Sequence, residues 1–167
     1  MIKIKAEQLD EIRHQSEREY PHECCGLLIG RIEGDGQTRI VEAIYPVANE
    51  FDQSAKSRAF DEMVDENAPN DAPLSEERHH RMLISPLEYA RAERQYSTRG
   101  LGVVGNYHSH PDHPAVPSRF DLEHLAPWPT MSYIVVSVRQ GAVVDLRSWE
   151  LAADRSGFNE EEIAKGV

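Results

Sequence analysis

The stretch GLGVVGNYHSHPDHPAVPSRFD, Gly100 to Asp121, decides the reading of this chain. Its first half is apolar and rich in β-formers, which predicts a strand, and Pro111, Pro114 and Pro117 stiffen the loop that follows. Residues i and i+2 of a strand face the same way, so His108 and His110 can offer two imidazoles to one ion without distortion. Past the loop, Ser118 has the character of an N-cap, with Asp121 three residues on in a short helix reaching Ala126. Asp121 can then supply a carboxylate as the third ligand. Two histidines and one carboxylate leave a fourth position open, and an open tetrahedral site is the catalytic form of zinc.

Hydrolysis at such a site needs a base for the attacking water and a donor for the oxyanion that develops. Ser118, one turn from Asp121, is the candidate donor, although it could be a cap and nothing more, just as Asp121 could merely complement a helix dipole. Glu23 is the candidate base. It stands ahead of CCGLLIG (Cys24 to Gly30), a continuous apolar run of the kind a buried strand shows. TRIVEAIYPVAN (Thr38 to Asn49) gives the hairpin partner of that strand across EGDGQ, so Glu23 lies at the mouth of a central strand. An exposed strand-edge charge is its alternative reading.

Upstream, Ile2 to Ile4 reads as a short strand, and Leu9 and Ile12 mark an amphipathic helix that ends near Tyr20, before Pro21. Periodicity breaks down over residues 50–78, where nine acidic groups face three basic ones; this is an acidic insertion with a possible short helix around residues 58–66. Arg81 to Ile84 predicts a short strand, and Ser85, Pro86 and Glu88 a capping box that starts a helix running to about Ser97. Ser132 to Val138 and Ala142 to Leu151 form a second hairpin across residues 139–141. The expected organisation is one mixed α/β domain over residues 1–151, with residues 152–167 a C-terminal tail or short helix.

A chain of 167 residues is long enough for a sizeable core without disulfides. The formal charge of -11 argues against a nucleic-acid partner, because phosphate would be repelled. No apolar run approaches the ~20 residues of a membrane span, and the N-terminus carries no secretory pattern, so the cytoplasm is the expected compartment. Cys24 and Cys25 are adjacent, and neighbours on a strand point to opposite faces, so reduced thiols are expected. A catalytic cysteine is disfavoured, since each thiol begins a buried strand. His113 and His124 are read as solvent-facing or outside the ligand set, and His22, His79 and His80 as surface residues.

The pattern H-x-H, seven residues, S, two residues, D, with an upstream Glu ahead of CGLLIG, resembles the JAMM (MPN+) zinc metallopeptidases of the MPN domain family, in particular their small stand-alone bacterial forms. The resemblance runs from Tyr20 to about Trp149. It implies an MPN-type, cytidine-deaminase-like fold, a central mixed β-sheet flanked by helices. It also implies zinc on His108, His110 and Asp121, Glu23 as general acid/base, and Ser118 steadying the transition state. Such enzymes cleave isopeptide or peptide bonds after the C-terminal Gly-Gly of ubiquitin-like or sulfur-carrier proteins. Two rival readings stand beside it: a non-catalytic MPN scaffold that binds a ubiquitin-like partner, and a metal hydrolase of small amides.

Overall fold

Both faces of CGLLIG are shielded from solvent, and the architecture follows from how that is achieved. A computed structural model describes residues 1–34, 36–49, 82–125 and 129–166, with the side chains of residues 124 and 125 excepted. The acidic insertion, its possible helix, Ala126, His79, His80 and the His124 side chain lie outside the described residues. The apolar run forms β2 (Cys25–Ile32), buried on every residue up to Gly30. It pairs antiparallel with β3 (Arg39–Val47) on one side and β4 (Gly102–Pro111) on the other. β4 in turn runs parallel to β5 (Ser132–Arg139), which closes the expected hairpin with β6 (Ala142–Leu151). β1 (Ile2–Ile4) lies parallel to β3 at the far side. The sheet is therefore mixed, and a helix packs on each of its two faces.

Helix α1 (Ala6–Glu19) covers one face, bringing Ile12 against Cys24, Leu28, Tyr107 and Ile134. Its entry is secured by Gln8, whose Oε1 accepts from the Lys5 backbone N–H at 3.0 Å. A buried polar chain docks the helix. The Tyr107 hydroxyl donates to Gln15 Oε1 at 2.5 Å, and Gln15 Nε2 donates to the Cys25 carbonyl at 3.3 Å. The opposite face is covered by α2 (Pro86–Tyr96), whose Ala92 packs with Cys25, Leu27 and Ile29. Pro86 stands at its first turn and Ser85 Oγ accepts from Leu87 N at 3.2 Å, an N-cap without the expected capping box. Glu88 instead turns to Tyr45 and Arg91.

Two expectations are corrected. The expected tail or short helix over residues 152–167 is replaced, in its described part 152–166, by strands: β7 (Phe158–Glu161) extends the sheet beyond β6, and β8 (Ile163–Lys165) pairs parallel to β1 at the opposite edge. The sheet edges supply what the segment's weak helix signal could not. Phe158 meets Tyr133 edge-to-face with centroids 5.5 Å apart, and Glu161 is buried with Ser148 Oγ at 2.7 Å and the Arg39 guanidinium at 3.2 Å. Nor is there a strand at Met82–Ile84, the part of the expected Arg81–Ile84 strand that lies within the described residues. Met82 and Ile84 are buried beneath α2, but the Leu83 N–H is taken by the Asn49 side chain at 3.1 Å rather than by a ladder.

Candidate metal centre

The last residues of β4 bring the two histidines to one point. His108 and His110 project to the same face, their ring centroids 4.8 Å apart and their Nε2 atoms 3.0 Å apart. Asp121 meets both, with Oδ1 3.3 Å from His108 Nε2 and Oδ2 3.5 Å from His110 Nε2. All three side chains are buried, and their donor atoms lie within 4.8 Å of one another. Among the described residues this is the one cluster of histidine, cysteine and acidic side chains with ligand geometry.

The tautomer of His110 follows from its neighbour. His110 Nδ1 lies 3.0 Å from the Pro114 carbonyl, which can only accept, so Nδ1 carries a proton and Nε2 is the ring atom turned to Asp121. The proline loop is itself pinned by β5 and β6. Ser137 Oγ donates to the His113 carbonyl at 2.5 Å, and Trp149 Nε1 donates to the Ala115 carbonyl at 3.1 Å. These side chains went unnoticed in the sequence because nothing in their spacing ties them to the motif.

Ser118 and Asp121 cap each other. The Ser118 hydroxyl accepts from Asp121 N at 3.2 Å, while Ser118 N donates to Asp121 Oδ2. The turn they start is wider than the expected α-helix: residues Asp121–Leu125 form a single π-type turn, a geometry frequent at functional sites. Ser118 is exposed, and with its lone pair given to Asp121 N it keeps its hydroxyl proton to donate. Burial acts to raise the Asp121 carboxyl, but the charges and hydrogen bonds of His108 and His110 outweigh it and hold the group well below the usual carboxylate range. An ionised carboxylate with two imidazole nitrogens is a donor set that fits a divalent cation of zinc type.

Glu23 arrives from the neighbouring strand. The register Cys25↔His108, continued outward, sets Cys24 opposite Ser109 and Glu23 opposite His110. Ser109 enforces it, donating its N–H to the Cys24 carbonyl at 3.0 Å and accepting from Cys24 N at Oγ, 2.9 Å. Glu23 is 4% exposed, not the exposed edge charge of the alternative reading. Burial, and after it the negative charge of Asp121, push its carboxyl well above the usual range. A buried carboxyl tuned upward beside a ligand set is suited to proton transfer near neutral pH. The thiols are not competitors: both are free and buried, and burial pushes Cys24 up to about 11 and Cys25 further still. His22 and His113 are exposed and stand outside the ligand cluster.

A mixed sheet that presents His-x-His at the end of one strand and a buried Glu on its neighbour defines a class, and the chain belongs to it: it matches the prokaryotic homologs of the JAB domain over residues 5–152. Among its relatives is a desampylase of Haloferax volcanii, 30% identical over 129 residues that make up 77% of this chain and 72% of that protein. A protein of Salinibacter ruber with a known solution structure is 36% identical, with a TM-score of 0.66 over 98% of this chain and 90% of that one. A JAB1/MPN domain protein of Archaeoglobus fulgidus, 16% identical, superposes with a TM-score of 0.54 over 99% of both chains. At that identity the likeness speaks for the fold alone, and the fold is the MPN-type α/β arrangement that the motif implies. Among the described residues no helix is long and apolar enough to cross a membrane.

Proposed function

We propose that this chain is a zinc-dependent JAMM-type peptidase that cleaves after the C-terminal Gly-Gly of a ubiquitin-like or sulfur-carrier protein. The observation that carries the reading is the convergence of His108 Nε2, His110 Nε2 and the Asp121 carboxylate beside a buried, protonatable Glu23. Family membership and a relative named desampylase support the reaction class and the kind of substrate. The reduced, buried Cys24 and Cys25 support a cytoplasmic setting.

His108, His110 and Asp121 would hold the zinc, which when bound would supply Lewis acidity to the scissile carbonyl and to the attacking water. Glu23 takes the proton of the attacking water and delivers it to the leaving amine as the C–N bond breaks, so its charge is restored at the end of the cycle. Ser118 donates a hydrogen bond from its hydroxyl to the oxyanion as the carbonyl becomes tetrahedral, keeping its own proton. Two glycines at the end of the tail let its backbone approach the strand edges more closely than side chains would permit.

The test uses a ubiquitin-like carrier fused through its Gly-Gly to a reporter, by a linear peptide bond in one substrate and a lysine isopeptide in another. The expected outcome is release of the carrier with an intact Gly-Gly terminus, abolished by chelator and by Glu23→Gln. A protein that purifies without zinc and cleaves neither substrate would be a scaffold. Equal turnover of a short amide and of the folded carrier would point to a small-amide hydrolase.

A further inference from the structure

Glu23 is held from both sides. On the β4 side Ser109 fixes Cys24, as described above. On the β3 side the ladder Cys25↔Val47 is the last pair of the strand, and the same register continued by two residues sets Asn49 opposite Glu23. At that position the backbone ladder has ended and a side chain takes it over. Asn49 Nδ2 donates to the Glu23 carbonyl at 3.2 Å, and Asn49 Oδ1 accepts from the Leu83 N–H at 3.1 Å. One carboxamide therefore links three pieces of chain: the exit of β3, the residue entering β2, and the buried segment Met82–Ile84 that underlies α2.

We infer that Asn49 is the positioning residue of Glu23. The role requires an amide. It must donate at one end and accept at the other, and among side chains of this length only asparagine does both; aspartate keeps the acceptor for Leu83 and loses the donor for Glu23. The Glu23 carboxyl is one residue's own side chain away from the bonded carbonyl, so releasing that carbonyl leaves the Glu23–Cys24 peptide held by Ser109 alone and loosens the carboxyl with it. A displacement of about 1 Å in a catalytic group costs up to ~100-fold in rate, although substrate and metal contacts elsewhere are intact.

The inference rests on Glu23 acting as the proton-transfer group, and the experiment separates the two. Wild type, Glu23→Gln, Asn49→Asp, Asn49→Ala and the double variant Asn49→Ala/Glu23→Gln are compared on the linear Gly-Gly fusion, with zinc content measured for each. Asn49→Asp and Asn49→Ala are expected to lose roughly 10- to 100-fold in kcat with KM and zinc stoichiometry unchanged. Asn49→Ala is expected to cost nothing further once Glu23 is already Gln, since a residue acting through Glu23 has nothing left to position. The Glu23 carbonyl 13C resonance should move upfield in Asn49→Ala, a readout independent of turnover. Full kcat in both Asn49 variants beside an inactive Glu23→Gln overturns the Asn49 role alone, as does an equal additive loss in the double variant. Wild type and Glu23→Gln cleaving alike overturns the role of Glu23 itself, and with it that of Asn49.

Discussion

His108 and His110 hold their Nε2 atoms 3.0 Å apart, each within 3.5 Å of an oxygen of Asp121. Three buried donors at this spacing can share one cation.

The first prediction concerns that cation. Zinc that binds the folded chain and not the unfolded one stabilises by mass action, about 2.7 kcal/mol at a free concentration of 100 times Kd. For a domain of this size that corresponds to roughly 5–10 °C in Tm. Chelator should therefore lower Tm by that amount and zinc restore it. His110→Ala should purify with substoichiometric metal and show no chelator effect. A Tm indifferent to chelator in the wild type would remove the site from consideration.

The second concerns Glu23 in the metal-free protein. Its carboxyl is raised by burial and by Asp121, so the folded chain holds this proton at pH values where the unfolded chain has released it. Below the ordinary glutamate pKa of about 4.3 both states are protonated and the group is neutral to stability. As pH rises through the window above that value, ionisation is penalised in the fold alone and stability falls. Glu23→Gln abolishes the penalty. The variant should unfold at higher temperature than wild type at pH 8 and at the same temperature at pH 4. With zinc restored the difference at pH 8 should shrink, because nearby positive charge favours the carboxylate.

A third prediction follows from Trp149, whose indole N–H bonds the fully buried Ala115 carbonyl. Trp149→Phe keeps the ring and removes the donor, at a cost of about 1–3 kcal/mol for the unsatisfied acceptor. The same loop presents the Pro114 carbonyl to His110, so zinc affinity should fall by roughly 10- to 100-fold, the usual effect of losing support behind a ligand. A competition titration against a chromogenic chelator measures it; unaltered zinc affinity would show that the loop holds without the indole.

The fourth is a packing prediction. Gly105 of β4 pairs with Ser132 of β5, and a Cβ built on it would sit 2.2 Å from the Ser132 carbonyl oxygen. Backbone cannot yield as a flexible side chain does. Gly105→Ala should destabilise by about 3 kcal/mol in urea unfolding and, by displacing the strand that ends in His108 and His110, lower zinc occupancy as well.

Much of the site was legible because it is local. The i, i+2 spacing of His108 and His110 needs only strand geometry, and the Ser118–Asp121 relation needs only the first turn of a cap; both hold, although that turn is π-type. The strands built on apolar runs were legible for the same reason. What failed was judged on local signal where a distant partner decided: Phe158–Glu161 and Ile163–Lys165 became strands because β6 and β1 offered edges, and Met82–Ile84 lost its strand because Asn49 took the Leu83 N–H.

By itself the sequence determined which side chains could act, since strand period, cap chemistry and the donor types of two imidazoles and a carboxylate are properties of short segments. Only the tertiary structure decided where Glu23 stands. Its place opposite His110 depends on the register of β2 against β4, set by Ser109 and Cys24 across 85 positions of chain. Register is a property of two strands together, and a one-residue slip would have turned Glu23 to the other face of the sheet.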